Sequence, residues 1–173
     1  MKVVSEKSIW LLIPAYNVSQ HIGSLIDQAL EYIPLKKILV VNDGSTDDTA
    51  SIAEQRGVTV ISNTRNLGKG VSLRKGFYHI IEQGGGWIIT IDGDMQHNPD
   101  DLPGFIKSAK LDNWDIVIGN RENRSGMPLD RQFSNWLTSK ILSFVTGTII
   151  KDGQCGYRLL RASKLKQLEL YAN

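Results

Sequence analysis

The sequence predicts one α/β domain with a mainly parallel central sheet and helices on both faces. Short runs that are nearly all apolar alternate with helical patterns from the N-terminus onward, which is typical of strands buried on both faces of a parallel sheet. A chain of 173 residues fits one domain with a substantial core. The sequence has no repeat and no low-complexity tract. We therefore expect residues 1–173 to form a single domain.

The strands are predicted where short apolar runs stand between polar or turn-forming residues. In chain order these strands cover residues 8–14, 37–42, 58–62, 87–92 and 115–119. A further short apolar stretch follows the segment Cys155-Gly156-Tyr157-Arg158, and no strand is predicted there.

The helices are predicted between the strands, near residues 19–32, 46–56, 69–83 and 99–110. The second helix follows Ser45-Thr46-Asp47-Asp48, whose oxygens can accept hydrogen bonds from first-turn amides. From about 130 to 147, apolar residues recur at helical spacing, which predicts an amphipathic helix. Packing of this helix on the sheet is favoured over contact with a membrane or lipid chain.

Polar segments follow four of the predicted strands or open the next helix. In parallel sheets, ligands bind outside the carboxyl ends of the strands, so these segments define one candidate site. They are Pro14-Ala15-Tyr16-Asn17, Asn42-Asp43-Gly44-Ser45, Arg65-Asn66-Leu67-Gly68-Lys69-Gly70 and Asp92-Gly93-Asp94.

The pair Asp92 and Asp94 predicts a site for Mg²⁺ or Mn²⁺. These hard cations take oxygen ligands and keep positions open for substrate phosphates, so a phosphorylated ligand is expected. Arg65 and Lys69 can meet either that phosphate or the carboxylates. Taken alone, Asp92-Gly93-Asp94 is more typical of a polar turn; the neighbouring segments favour the metal site.

The composition narrows the expected location and partners. The longest apolar runs are far shorter than the ~20 residues that span a bilayer, so neither a transmembrane helix nor a signal peptide is expected. Cys155 is the single cysteine, which excludes an internal disulfide and fits a reducing compartment. With a net charge of +2 and no charged block, nucleic acid is not an expected partner. The expected location is the cytoplasm.

In their order, the motifs resemble those of family 2 glycosyltransferases, which have the GT-A fold. The resemblance is strongest to the branch of dolichyl-phosphate mannose synthase and bacterial polyprenyl-phosphate sugar transferases. It extends over about residues 9 to 161. The motifs that carry it are Ile13-Pro14-Ala15-Tyr16-Asn17, Val40-Val41-Asn42-Asp43-Gly44-Ser45-Thr46-Asp47, Arg65-Asn66-Leu67-Gly68-Lys69-Gly70, Asp92-Gly93-Asp94-Met95-Gln96-His97-Asn98-Pro99 and Gly156-Tyr157-Arg158-Leu159.

The resemblance implies a GDP- or UDP-sugar donor and inversion at the anomeric carbon. It assigns Asp92, Asp94 and Gln96 to Mg²⁺ or Mn²⁺, with Asp43 facing the nucleotide base. Asp94 is thereby also a catalytic candidate. The implied nucleotide-sugar residues are Pro14, Tyr16, Asp43, Lys69, Asp92, Gly93 and Asp94.

The same resemblance implies a polyprenyl-phosphate acceptor and attachment to the cytoplasmic face of a membrane. Arg121 and Arg131 match arginines near the acceptor phosphate, and guanidinium groups suit phosphate oxygens. A hydroxyl acceptor would need a general base, for which Asp152 is the candidate.

The sequence departs from the family at Val18, where many relatives have Glu, and at Asn42, where they have Asp. The chain ends at Asn173, whereas many lipid-acceptor relatives continue, so it is either a short enzyme or a catalytic-domain fragment. Three alternatives stay open: transfer to a saccharide hydroxyl, a nucleotidyltransferase, and a non-catalytic nucleotide-sugar binding domain.

Overall fold

The computed structural model describes residues 9–111, 113–119 and 155–166. These residues contain a six-stranded sheet surrounded by helices. In chain order the elements are β1 (Ile9–Ala15), α1 (Ser19–Ala29), β2 (Ile38–Asn42), α2 (Thr49–Gln55), β3 (Thr59–Ser62), α3 (Lys69–Glu82), β4 (Trp87–Thr90), α4 (Leu102–Leu111), β5 (Ile116–Ile118), β6 (Arg158–Arg161) and α5 (Ala162–Leu165). Short 3₁₀ turns at Leu35–Lys37 and Pro99–Asp101 precede β2 and α4.

The strand order across the sheet is β3-β2-β1-β4-β6-β5. The first four strands are parallel, and β6 lies antiparallel between β4 and β5. The predicted mainly parallel sheet is confirmed. Strand β6 was not predicted, and the structure adds it as the link between β4 and β5.

The central strands β1, β2 and β4 are buried along their whole length. Alternate residues of β1 enter different halves of the core: Leu11 packs on the side of α1, whereas Leu12 packs on the side of α3. Residues of a strand point alternately to the two faces, so the sheet is covered on both faces, as predicted. None of the helices in the described ranges has the length and apolarity needed to cross a bilayer.

Three helix boundaries differ from the prediction by three residues: the end of α1 and the starts of α2 and α4, the last at Leu102 after the 3₁₀ turn Pro99–Asp101. Helix α1 ends at Ala29. A tighter turn follows it, in which the Tyr32 amide donates to the Ala29 carbonyl. Helix α2 begins at Thr49 rather than at residue 46. The earlier residues are engaged elsewhere: the Thr46 amide donates to Asn17 Oδ1 at 2.9 Å, which holds residue 46 against the loop before α1.

Asp47 connects the starts of α1 and α2. Its Oδ1 accepts from the Thr49 amide and its Oδ2 accepts from the Ser19 amide, each at 3.0 Å. Of residues 45–48, which were predicted to accept from the start of α2, Asp47 does so, and it also accepts from the start of α1. Burial raises the pKa of the Asp47 carboxyl, but hydrogen bonds from Thr49 and Ser19 outweigh burial and lower it to about 2.

We expect Asp47→Ala to lower the free energy of unfolding by about 1–2 kcal/mol at pH 7, because two helix-start amides lose their acceptor. The folded-state pKa lies below the ordinary value of 3.8. The stabilisation is therefore complete above about pH 4 and declines as the pH falls towards about 2. Urea unfolding between pH 7 and pH 3 measures the difference between wild type and variant.

Asp48→Ala is the matched control, because the exposed Asp48 makes no side-chain capping bond to α2. It is expected to change the free energy of unfolding by less than about 0.5 kcal/mol. A wild-type advantage over Asp47→Ala that stayed constant down to pH 3 would contradict the role given to the Asp47 carboxylate.

Candidate functional site

A cleft of roughly 290 Å³ opens at the carboxyl ends of β1, β2 and β4. We refer to it as the strand-end cleft. It is lined by Pro14, Ala15, Tyr16, Val18, Asp43, Asn66, Lys69, Ser72, Asp92, Gly93 and Asp94. The structure thus brings together all seven residues that the resemblance assigns to the nucleotide sugar.

Tyr16 lines the strand-end cleft and is 45% exposed. The next residue, Asn17, has a φ of +51°, a conformation that is uncommon outside glycine but tolerated by asparagine. The Asn17 amide donates to Ser45 Oγ at 3.0 Å, which ties the exit of β1 to the exit of β2. The hydrogen bond from Asn17 to Ser45 therefore holds the loop that contains Tyr16.

Asp43 lies at the end of β2 and is 3% exposed. Its Oδ1 accepts from Asn63 Nδ2 at 2.7 Å and from the Leu67 amide at 3.0 Å, and its Oδ2 accepts from the Gly68 amide at 2.9 Å. Burial acts to raise the pKa of Asp43, but these bonds, with one from the Ser72 hydroxyl, lower it below its ordinary value. An ionised Asp43 thus fixes the loop that leads into α3.

The turn after Asp43 requires glycine. Gly44 has a φ of +69°, and a Cβ at this position would overlap the backbone of Arg65. The exit of β2 and the loop before α3 therefore approach each other more closely than any larger residue allows. This close approach lets Asp43 reach the amides of residues 67 and 68.

Lys69 is the first residue of α3, and its ammonium group forms an ion pair with Asp92 across the strand-end cleft. The distance from Lys69 Nζ to Asp92 Oδ1 is 2.6 Å. The Lys69 side chain is 50% exposed and that of Asp92 is 25% exposed. Phosphate and a carboxylate were the two partners predicted for Lys69, and in the structure its partner is the Asp92 carboxylate.

Asp94 and Gln96 follow on the same loop. The Gln96 amide donates to Asp94 Oδ1 at 3.1 Å, and Met95 between them has a φ of +59°. Methionine rarely adopts this left-handed conformation. Met95 packs against the core, and this packing accompanies a turn that brings both Asp92 and Asp94 to the cleft.

Gly156, just before β6, contacts the Asp92 carboxylate. Thr90 Oγ1 donates to the Gly156 carbonyl at 2.7 Å, and the Gly156 backbone lies directly against the Asp92 carboxylate. Tyr157 is buried beside Phe105, with ring centroids 4.4 Å apart. The sequence motif Gly156-Tyr157-Arg158 thus contributes a glycine that makes room for the metal-binding candidate.

His97, within the motif that begins at Asp92, is buried. Its ring is 8% exposed and lies behind the loop, with Nε2 3.8 Å from Cys155 Sγ and the ring centroid 5.3 Å from that of Tyr157. His97 is therefore part of the packing beneath the Asp92–Asp94 loop.

Sequence reasoning missed two polar residues that hold Asp43. Asn63 and Ser72 are buried, and Asn63 Nδ2 also donates to Ser72 Oγ at 3.1 Å. A signal was present for Asn63, because it is a polar residue directly after β3, at the same edge as the other strand exits. Ser72 lies inside α3, where a serine gives no such signal.

The donor atoms of the strand-end cleft suit a hard divalent cation. Asp92 and Asp94 offer carboxylate oxygens from one loop, and Mg²⁺ and Mn²⁺ favour such ligands while keeping other positions for phosphate or water. In the part of the chain that the structure describes, no group of three or more His, Cys, Asp or Glu residues could hold a metal. A cation held by Asp92 and Asp94 would keep further coordination positions open for a bound ligand.

Four predictions fall outside the described residues. Arg121, Arg131 and Asp152, the candidates for the acceptor side, lie in the range 120–154, as does the amphipathic helix predicted over about 130–147. The structure therefore places the predicted donor residues and leaves the acceptor residues as predictions.

The sequence profile described as "Glycosyl transferase family 2" matches residues 10–169. A dodecaprenyl-phosphate galacturonate synthase of Rhizobium johnstonii is 28% identical over 96% of this chain, which spans 52% of that protein. An undecaprenyl-phosphate mannosyltransferase of Micrococcus luteus is 29% identical over 93% of the chain and 69% of its own length. The chain thus spans between about half and two thirds of these relatives.

Solved structures share the fold. Glucosyl-3-phosphoglycerate synthase from Mycobacterium tuberculosis, in a complex with Mn²⁺, UDP-glucose and phosphoglyceric acid, aligns with a TM-score of 0.73. The two sequences are 22% identical over 93% of this chain and 59% of the synthase. This similarity confirms the predicted GT-A fold.

Proposed function

The chain belongs to glycosyl transferase family 2, and on that premise we propose that it transfers a sugar from a nucleoside-diphosphate sugar to a polyprenyl phosphate. The proposed reaction inverts the anomeric carbon and uses Mg²⁺ or Mn²⁺. The observation that carries the proposal is the strand-end cleft, in which an exposed aromatic ring, a lysine and two carboxylates face one space. A nucleotide base, a diphosphate and a cation match these three kinds of group.

Each part of the cleft has a proposed role toward the donor. The Tyr16 ring stacks on the base. The resemblance assigned Asp43 to the base as well, but its carboxylate already accepts hydrogen bonds from its own chain, so its proposed role is to hold the loop that carries Lys69. Asp92 and Asp94, with Gln96, hold the cation. Bound there, a divalent cation would neutralise the negative charge that develops on the leaving diphosphate.

The names of the relatives support a lipid-phosphate acceptor. They include enzymes acting on dodecaprenyl phosphate and undecaprenyl phosphate, and a dolichyl-phosphate N-acetylglucosaminyltransferase of Methanococcus voltae that is 29% identical. An acceptor phosphate is already anionic at neutral pH, so Asp152 would not be needed as a base. Arg121 and Arg131 are proposed to bind that phosphate. Because a polyprenyl phosphate lies in a membrane, the protein is proposed to act at a membrane face.

Calorimetry tests the donor half of this proposal. GDP-mannose, UDP-glucose and UDP-N-acetylglucosamine are titrated into the protein with Mn²⁺ and, in parallel, with EDTA. We expect at least one donor to bind with Mn²⁺ and to bind about tenfold or more weakly in EDTA, because the diphosphate then loses its cation. Binding of none of the three, or binding indifferent to EDTA, would contradict the proposal.

The products test the reaction itself. With undecaprenyl phosphate as acceptor, a glycosyltransferase releases a nucleoside diphosphate and forms a lipid-linked sugar. A nucleotidyltransferase would instead release pyrophosphate from a nucleoside triphosphate and a sugar phosphate, which are supplied in a parallel assay. A binding domain would release no product in either assay. Transfer to a soluble saccharide but not to the lipid would leave the donor site as proposed and replace the acceptor.

A further inference from the structure

Lys69 and a divalent cation need the same carboxylate. The Lys69 ammonium is 2.6 Å from Asp92 Oδ1, and a bound Mg²⁺ would lie about 2.0–2.1 Å from a ligating oxygen. Two cations sharing this one atom would be less than about 5 Å apart and would repel each other. The ion pair and the metal complex of Asp92 are therefore in competition.

We propose that Lys69 acts as a built-in competitor of the divalent cation, so that the cation binds tightly only together with a diphosphate that draws the ammonium away from Asp92. This inference rests on the proposed function, because it takes the diphosphate of a nucleotide sugar as the second anion. It predicts that the free metal ion binds weakly and that metal and nucleotide bind with positive cooperativity.

The geometry indicates that Lys69, and not Asp92, moves. The Asp92 carboxylate has the Gly156 backbone directly against it, and Gly156 is held by the bond from Thr90. Asp92 therefore has no space on that side. The Lys69 side chain is half exposed and has a flexible four-carbon stem, so its ammonium can turn to another partner.

The backbone of Lys69 is fixed while its side chain is not. The preceding residue, Gly68, donates its amide to Asp43 Oδ2 at 2.9 Å, which anchors the start of α3. A moving ammonium group thus stays within the strand-end cleft. A diphosphate in that cleft offers several anionic oxygens to a lysine, and charge-assisted hydrogen bonds of this kind are strong.

The test compares wild type with Lys69→Met in two titrations. In the first, Mn²⁺ alone is titrated and free Mn²⁺ is followed by electron paramagnetic resonance. We expect Lys69→Met to bind Mn²⁺ about tenfold tighter, because the competitor is gone. In the second, UDP is titrated in EDTA by calorimetry, and we expect the variant to bind about tenfold more weakly, because a phosphate contact is gone.

The opposite signs of the two changes distinguish competition from damage, which would weaken both. Lys107→Met is the matched control, since it removes the same charge from the exposed surface of α4; both dissociation constants should stay within about twofold. If Lys69→Met fails to fold, judged by circular dichroism, Lys69→Gln is measured in the same two titrations.

Unchanged or weaker binding of Mn²⁺ by the Lys69 variant overturns the inference. The ion pair between Lys69 and Asp92 would then not compete with the metal ion. Failure of the proposed function looks different. In that case wild type binds no nucleotide sugar with Mn²⁺, whatever the variant does with Mn²⁺ alone. The two titrations therefore test the competition at Asp92, and the donor calorimetry tests the function separately.

Discussion

Replacing Asp94 with asparagine is expected to lower metal-dependent sugar transfer by at least about 100-fold, the size of effect seen when one group that stabilises transition-state charge is removed. The substitution keeps the shape of the side chain and its acceptor oxygen. The Gln96 amide, which now donates to Asp94 Oδ1 at 3.1 Å, can donate to the asparagine oxygen instead. The loss would therefore report the missing negative charge.

Initial rates at saturating donor, together with thermal unfolding, measure this effect. The free energy of unfolding should change by less than about 0.5 kcal/mol, because no buried contact is lost. Asp101→Asn is the control, since Asp101 is an exposed acid in the turn that follows the same loop; it should leave the rate nearly unchanged. Transfer retained by Asp94→Asn would remove Asp94 from the cation site.

Gly156→Ala is expected to weaken Mn²⁺-dependent donor binding by about 10- to 100-fold, as is usual when the support of a metal ligand is disturbed. An added Cβ would lie 2.6 Å from Cγ of Asp92 and closer still to one carboxylate oxygen. Gly156 does not have a positive φ, so alanine fits its backbone and the clash with Asp92 is the cause of the loss. Calorimetry with donor and Mn²⁺ measures it.

Gly104→Ala is the matched control for this substitution. It adds the same methyl group in α4, where nothing lies within 4 Å of the new Cβ. It should raise the free energy of unfolding by about 0.5–1 kcal/mol, because glycine is a poor helix former, and leave donor binding unchanged. If Gly156→Ala bound donor as well as Gly104→Ala does, Asp92 would not depend on its contact with Gly156.

The parts of the fold that depend on local sequence patterns could be predicted. Four parallel strands and the helices between them follow from apolar runs and helical spacing, and their bounds agree within three residues. Strand β6 has only two apolar residues between Arg158 and Arg161. Its role comes from pairing with β4, about 70 residues earlier in the chain, and no local pattern encodes that partner.

The site was predictable because parallel strands bring their carboxyl ends to one edge. Tyr16, Asp43, Asp92 and Asp94 follow three such strands and do lie together. What the sequence left open was which group each one contacts. The bond of Lys69 to Asp92 and the bonds of Asp43 to its own loop depend on side-chain directions.

The antiparallel position of β6 also has a consequence for biosynthesis. Strands β1 to β4 and their helices can assemble as soon as the first 111 residues have left the ribosome, since their pairings are within that stretch. One edge of β4, including the buried Trp87, then stays unpaired until Arg158–Arg161 has been synthesised. Unpaired apolar edges attract other chains. We therefore expect nascent chains from which residues up to 111, but not Arg158–Arg161, have left the ribosome to need chaperone protection that the complete sheet does not.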